Sequence, residues 1–274
     1  MKKTAVFAMS LLASLLFLGR ISAATLDGIP IHATTSGDGP RTVILVHGWT
    51  CDETTWQSQV PALAGDYRVI TIDLPGHGES GSPRDGKLSM DLFARAIEAV
   101  RIEAKADRVA LAGHSMGTPV IIQYARLFSR HAAALVFVDG SFSSAPPGSM
   151  PSPAGFAGPD GLKVREGMIR TMFSSATTEE MQKHILSMML RAPESTAVGA
   201  MEAMRDPAVW KDDAFAQPVL GLYADRPWPA VSDMRKRFPR SELHKIPGTG
   251  HFLMLEKPEE FNRLLKSFLD KQKF

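Results

Sequence analysis

One cysteine, Cys51, stands alone among 274 residues, so no disulfide can form within the chain. With no second cysteine and no adjacent histidine, Cys51 reads as a small packed residue and not as a reactive thiol. An excess of charge of one sign is also missing, with 31 Lys and Arg against 29 Asp and Glu. No basic stripe interleaved with aromatics runs along the chain, so nucleic acid is not an expected partner. His32, His77, His114, His131, His184 and His244 form no ligand-spaced cluster, which argues against a metal site, and nothing implies a cofactor. Internal repeats are absent. The apolar run at residues 5–18 is too short and wrongly flanked for a spanning helix.

That run has a different reading. Lys2 and Lys3 precede it, and Ser22-Ala23-Ala24 follow it. A positive start, an apolar stretch and small residues at a cleavage site make a secretory leader, expected to span residues 1–24. Export to the periplasm or the medium follows, with no stable membrane anchor after cleavage; an uncleaved N-terminal anchor is the alternative. Removing Lys2, Lys3 and Arg20 lowers Lys plus Arg from 31 to 28 against 29 acids, a formal charge of −1. A chain that is 44% hydrophobic and has no staples must be held by its core.

From about residue 29 strand-like and helix-like segments alternate. Strands are expected over residues 29–33, with Pro30 marking an edge, and at Thr42–Val46, 68–72, 108–112, 134–138, 218–223 and 243–246. Helices are expected over 54–63, around 92–100, over 120–128 and 230–238, and from Pro258 onward with the stripe Phe261, Leu264, Leu265, Phe268 and Leu269. Alternating βα units imply a doubly wound, mostly parallel sheet covered by helices on both faces. Residues 140–216 break the rhythm. They open on a Pro/Gly/Ser-rich stretch and continue as helices rich in methionine, including Met168, Met172, Met181, Met188, Met189, Met201 and Met204. A helical cap inserted into a core of residues 25–139 and 217–274 is expected, its methionines forming either a small core or an adaptable apolar lid.

Reactive groups in such a sheet belong at the carboxyl ends of strands. Gly113-His114-Ser115-Met116-Gly117 lies between a strand and a helix, the setting in which G-x-S-x-G makes a nucleophile elbow. A serine hydroxyl needs a base, and His251 in "PGTGHFLMLEKPEEF" follows the last strand. An acid must orient that imidazole. Asp225, ending "PVLGLYAD", is favoured by strand order; Asp139, ending "ALVFVD", is the alternative. Asp73 precedes the serine and is read as shaping its own turn. The amides of Met116 and Trp49 are expected to form the oxyanion hole, with His47-Gly48 shaping the loop. Gly76-His77-Gly78-Glu79-Ser80-Gly81 fits a dinucleotide fingerprint by spacing, but Pro83 interrupts where the helix should begin.

In order, "HGWT", "DLPGHGES", "GHSMG", "YAD" and "GHF" resemble the α/β-hydrolase family in its branch with a helical cap. The resemblance spans essentially the whole chain after the leader. It implies Ser115 as nucleophile, His251 as base, Asp225 as acid and a cap at 140–216. Around the acid the sequence departs from the family's Gly-x-x-Asp, since Leu222 stands where the glycine would be. Haloalkane dehalogenases and epoxide hydrolases of this fold use a carboxylate where this chain has Ser115.

The expected activity is hydrolysis of a carboxylic ester or related acyl compound through an acyl-enzyme on Ser115. His114, Phe142 and Trp228, with Met168 and Met172, are expected to line an apolar substrate pocket. Amide, C–C bond or lactone hydrolysis, peracid formation and acyl transfer are open to the same three groups; a non-catalytic ligand-binding protein is the reading from another class.

Overall fold

The computed structural model describes residues 19–21, 24–143, 151–225 and 231–274. Most of the expected leader, and Trp228, lie outside the described residues. The chain begins with four short strands, β1 (Arg20–Ile21), β2 (Thr25–Leu26), β3 (Ile29–Pro30) and β4 (Ala33–Ser36). The strand expected over 29–33 is therefore split. Asp27 and Gly28 both adopt positive φ, 52° and 81°, the hand of a two-residue hairpin turn. They fold β2 against β3, and β4 starts afresh beyond them.

β5 (Thr42–Val46), β6 (Arg68–Ile72), β7 (Val109–His114), β8 (Ala132–Val138), β9 (Val219–Ala224) and β10 (Ser241–Ile246) follow. The large sheet runs β1-β4-β6-β5-β7-β8-β9-β10. It is parallel from β6 to β10, and β4 joins β6 antiparallel. Every residue of β5, β7, β8 and β9 is buried. Burial on both faces explains why these strands read as unbroken apolar runs. The strand order reverses at β5: the chain steps outward to β6, then returns to the other side as β7. The carboxyl ends of β5 and β7 therefore flank a crevice, where ligands bind in open sheets of this kind.

α1 (Val60–Leu63), α2 (Met90–Glu103) and α3 (Gly117–Leu127) lie between these strands. The single helix expected over 54–63 is interrupted. A 3₁₀ turn at Glu53–Trp56 ends before α1, whose first turn holds Pro61, a residue that cannot accept a helix continuing into it. Between β8 and β9 lie α4 (Gly161–Arg170), α5 (Glu179–Arg191) and α6 (Glu194–Arg205), with no strand among the described residues of that stretch. α7 (Val231–Arg237) precedes β10, and α8 (Leu253–Glu256) and α9 (Pro258–Asp270) close the chain. α9 buries Phe261, Leu265, Phe268 and Leu269 on one face. Among the described residues no helix is long and apolar enough to cross a membrane.

The helices between β8 and β9 are bonded to the sheet's carboxyl edge. Thr196 Oγ1 donates to the Gly76 carbonyl at 2.6 Å, and the Trp49 indole N–H to the Ala197 carbonyl at 2.8 Å. Arg191 pairs with Asp52 at 2.5 Å, and the His251 amide donates to the Met172 carbonyl at 3.0 Å.

Candidate active site

Ser115 follows the last residue of β7 and holds φ 53°, a left-handed conformation that a residue with a side chain rarely adopts. Its amide donates to the Val138 carbonyl at 2.9 Å, and its own carbonyl accepts from Thr118 N at 3.0 Å as α3 begins. The flanking glycines are required by space. A Cβ on Gly113 would collide with the Gly117 carbonyl, and one on Gly117 with the Val46 carbonyl. The turn leaves Ser115 half-buried, while His114 and Met116 on either side are buried.

His251 sits on the loop between β10 and α8, only 8% exposed. Its Nδ1 lies 2.7 Å from Asp139 Oδ2. Asp139 is itself buried, at φ 46°, and its Oδ1 accepts from Ala224 N at 3.0 Å. The imidazole therefore has its Nδ1 proton committed to a carboxylate that is fixed from a second side.

This corrects the expectation for the acid. Asp225, favoured by strand order, is exposed just past the end of β9. Val138 is level with Leu222 in the pairing of β8 and β9, and Asp139 N donates to the Leu222 carbonyl at 2.9 Å. That register puts Asp139 level with Tyr223, beside the end of the β9 backbone and two residues short of Asp225.

The loop after β5 approaches the serine closely, since a Cβ on Gly48 would stand 3.1 Å from both Ser115 Cβ and His114 Nδ1. Cys51 N bonds back to the Gly48 carbonyl at 3.2 Å, and Thr50 takes φ 55°, so residues 48–51 form a tight turn. The backbone N–H groups of Trp49 and Met116 find no hydrogen-bond partner among the described residues. His47 braces this loop. Its Nδ1 donates to the Gly48 carbonyl at 2.8 Å, and its Nε2 accepts from Leu74 N at 3.0 Å. Burial lowers its pKa, keeping it neutral as those two roles demand.

Asp73 likewise shapes backbone. Its carboxylate accepts from Glu53 N at 2.7 Å and Glu79 N at 2.8 Å. Gly76 N closes on the Gly81 carbonyl at 2.9 Å, so the fingerprint-like glycines form a self-bonded turn. A side chain on Gly78 would strike the Asp73 carboxylate.

A cavity of about 400 Å³ opens beside these groups. Gly48, Trp49, Cys51, His114, Ser115, His251 and Phe252 line it from the sheet side. Met168, Thr171, Met172, Met189, Met201 and Met204, with Pro151, line it from the stretch between β8 and β9. Five methionines thus face the serine across an apolar space of the size that holds small ligands. Burial pushes the Cys51 thiol up to about 12, so it stays protonated and unreactive in the cavity wall.

The expected pocket residues divide. His114, Met168 and Met172 line the cavity. Phe142 does not. It is buried against Phe137 and Phe238, at ring separations of 6.4 and 5.9 Å, because the chain after β8 turns back into the core. Cys51, read from sequence only as a small packed residue, also lines the cavity, as do Thr171 and Phe252, which the sequence reading does not name; of these two only Phe252, adjacent to His251, carries a local signal. Among the described residues no three metal-binding side chains come together.

Residues 43–264 match the model of the alpha/beta hydrolase family. The chain is 28% identical over 277 residues to 2-hydroxy-6-oxononadienedioate/2-hydroxy-6-oxononatrienedioate hydrolase 2 of Pseudomonas putida, covering 91% of this chain and 94% of that one. It is 26% identical to the dihydrolipoyllysine-residue acetyltransferase component of the acetoin cleaving system of the same organism; the match covers 86% of this chain but spans only 65% of that longer protein. Among solved structures, a thermophilic esterase from Thermogutta terrifontis superposes with a TM-score of 0.79 at 25% identity, covering 92% of this chain and 98% of the other.

Proposed function

The chain belongs to the alpha/beta hydrolase family, and from that premise we propose that it is a serine hydrolase cleaving a neutral carboxylic ester or lactone. One observation carries this reading: the His251 imidazole, oriented by Asp139 at 2.7 Å, shares an apolar cavity with Ser115.

In the proposed reaction Ser115 Oγ attacks the acyl carbon and His251 Nε2 takes the hydroxyl proton. Asp139 holds the imidazole in the tautomer that leaves Nε2 free to accept, and stabilises the imidazolium that forms. The carbonyl oxygen gains negative charge facing the Trp49 and Met116 amides, donors that need no reorganisation. The C–O bond to the leaving alkoxide breaks as His251 returns its proton to that oxygen. Water, deprotonated by His251, then attacks the acyl-enzyme and releases the carboxylic acid and the serine.

The methionine wall supports an apolar group on the substrate. Thioethers pack against irregular and aromatic surfaces, whereas a carboxylate buried against them would lose hydration without return. α4–α6 act in this reading as the cap over the site, set into a core built by residues 25–139 and 217–274. Hydrolysis of an activated C–C bond by the same groups is the second reading, favoured by the likeness to the Pseudomonas putida dioate hydrolase.

Intact mass before and after a fluorophosphonate probe tests the proposal. One adduct on the wild type and none on Ser115→Ala supports an activated Ser115; a folded wild type that takes no adduct overturns it. The starting mass also tests the proposed removal of residues 1–24. Turnover of neutral apolar esters without turnover of 2-hydroxy-6-oxononadienedioate separates the two readings.

A further inference from the structure

We infer that His114, the residue just before the nucleophile, is a positioning residue that fixes the base by holding its backbone. The inference rests on the serine-hydrolase reading of Ser115 and His251. His114 is fully buried, and its Nε2 lies 2.9 Å from the carbonyl oxygen of His251. A carbonyl oxygen only accepts, so Nε2 carries the proton. The other ring nitrogen, Nδ1, is buried with no hydrogen-bond partner. Burial holds the His114 pKa well below the ordinary histidine value, with the neighbouring His251 adding to the effect. The ring is therefore neutral, with one nitrogen used and one bare.

An unpaired buried nitrogen costs stability, and an apolar side chain in this space would avoid that cost. What the imidazole provides in exchange is the bond to His251. Three contacts from three parts of the fold converge on His251: its N–H donates to the Met172 carbonyl at 3.0 Å, its ring to Asp139 at 2.7 Å, and its C=O accepts from His114 at 2.9 Å. Only the last comes from the strand that carries the nucleophile. The two rings lie 4.7 Å apart, and Phe252 packs on His114 at 5.0 Å. His114 thus sets base against nucleophile through one peptide bond on each side, and its neutrality leaves the imidazolium at His251 unopposed by a second cation.

The test compares two side chains of equal length. In His114→Gln an amide N–H reaches the same carbonyl; in His114→Met the volume is kept and the donor is lost. His114→Met should lower kcat and the fluorophosphonate labelling rate on the order of 100-fold, with KM little changed. Its low-field proton resonance from His251 Nδ1–H should broaden. His114→Gln should recover most of both. A folded His114→Met labelled as fast as the wild type overturns the inference, as does equal loss in the two variants. Nitrogen NMR of the wild type is independent of any variant: a neutral Nε2–H tautomer at His114 at pH 7 is expected, and a cation or an Nδ1–H tautomer overturns the assignment. If wild-type protein takes no probe, the hydrolase reading fails; if it does and His114→Met labels equally, only the role of His114 fails.

Discussion

β8 and β9 lie side by side, and each is followed by an aspartate at its carboxyl end, yet the two ends are built differently. Asp139 turns inward at φ 46°, is buried, and holds both the Ala224 amide and the His251 ring. Asp225 lies exposed one step beyond the last residue of β9. The difference is made by register and backbone hand, not by residue type. An acid orients an imidazole when the strand end delivers it level with the histidine loop, and here β8 does so. In the proposed reaction the acid position favoured by strand order is then left to a surface carboxylate.

The sharpest break in that comparison is Asp139→Asn. It should lower kcat by about 10³–10⁴-fold, because an amide favours the wrong tautomer of His251; initial rates on any ester that turns over would measure it. If Asp225→Asn proves the more damaging change, the assignment of the two ends is reversed. Gly140→Ala comes next. A Cβ there would strike the Thr118 side chain and crowd the Ser115 carbonyl, so activity should fall at least ~10-fold through displacement of the elbow, with a lower melting temperature by calorimetry.

Asp139→Ala separates structure from chemistry at the same end. It leaves the Ala224 amide buried without its acceptor, a cost of about 1–3 kcal/mol, whereas Asp139→Asn keeps an oxygen there. Thermal unfolding should therefore rank alanine below asparagine, although both lose activity. Smallest of all is Asp225→Asn, expected to leave kcat within ~2-fold and stability within about 0.5 kcal/mol, as at exposed sites generally.

Signals that act within a few residues are legible in this sequence; those that depend on pairing between distant elements are not. The glycines around Ser115 and the loop of His251 declare themselves within a few residues, because steric demand and chain order act locally. The choice between Asp139 and Asp225 depends on how β8 slides against β9, which no window of sequence contains. Phe142 failed for the same reason: its partners Phe137 and Phe238 lie on other elements. The Asp27-Gly28 hairpin is legible in principle, since that pair is a strong turn signal, but its first strand, Thr25–Leu26, is only two residues long and carries no alternation of its own. The methionines of 140–216 stood out by composition, and five of them line the cavity.

Ser115 and Asp139 sit at the ends of neighbouring strands, and both hold positive φ, 53° and 46°. Neither bend is one its own segment would choose in an unfolded chain; each is imposed by the pairing of β7 with β8 and of β8 with β9. The proposed reactive edge therefore exists only while those strands remain in register. Loss of probe labelling should precede loss of sheet signal, so that this protein goes silent before it comes apart.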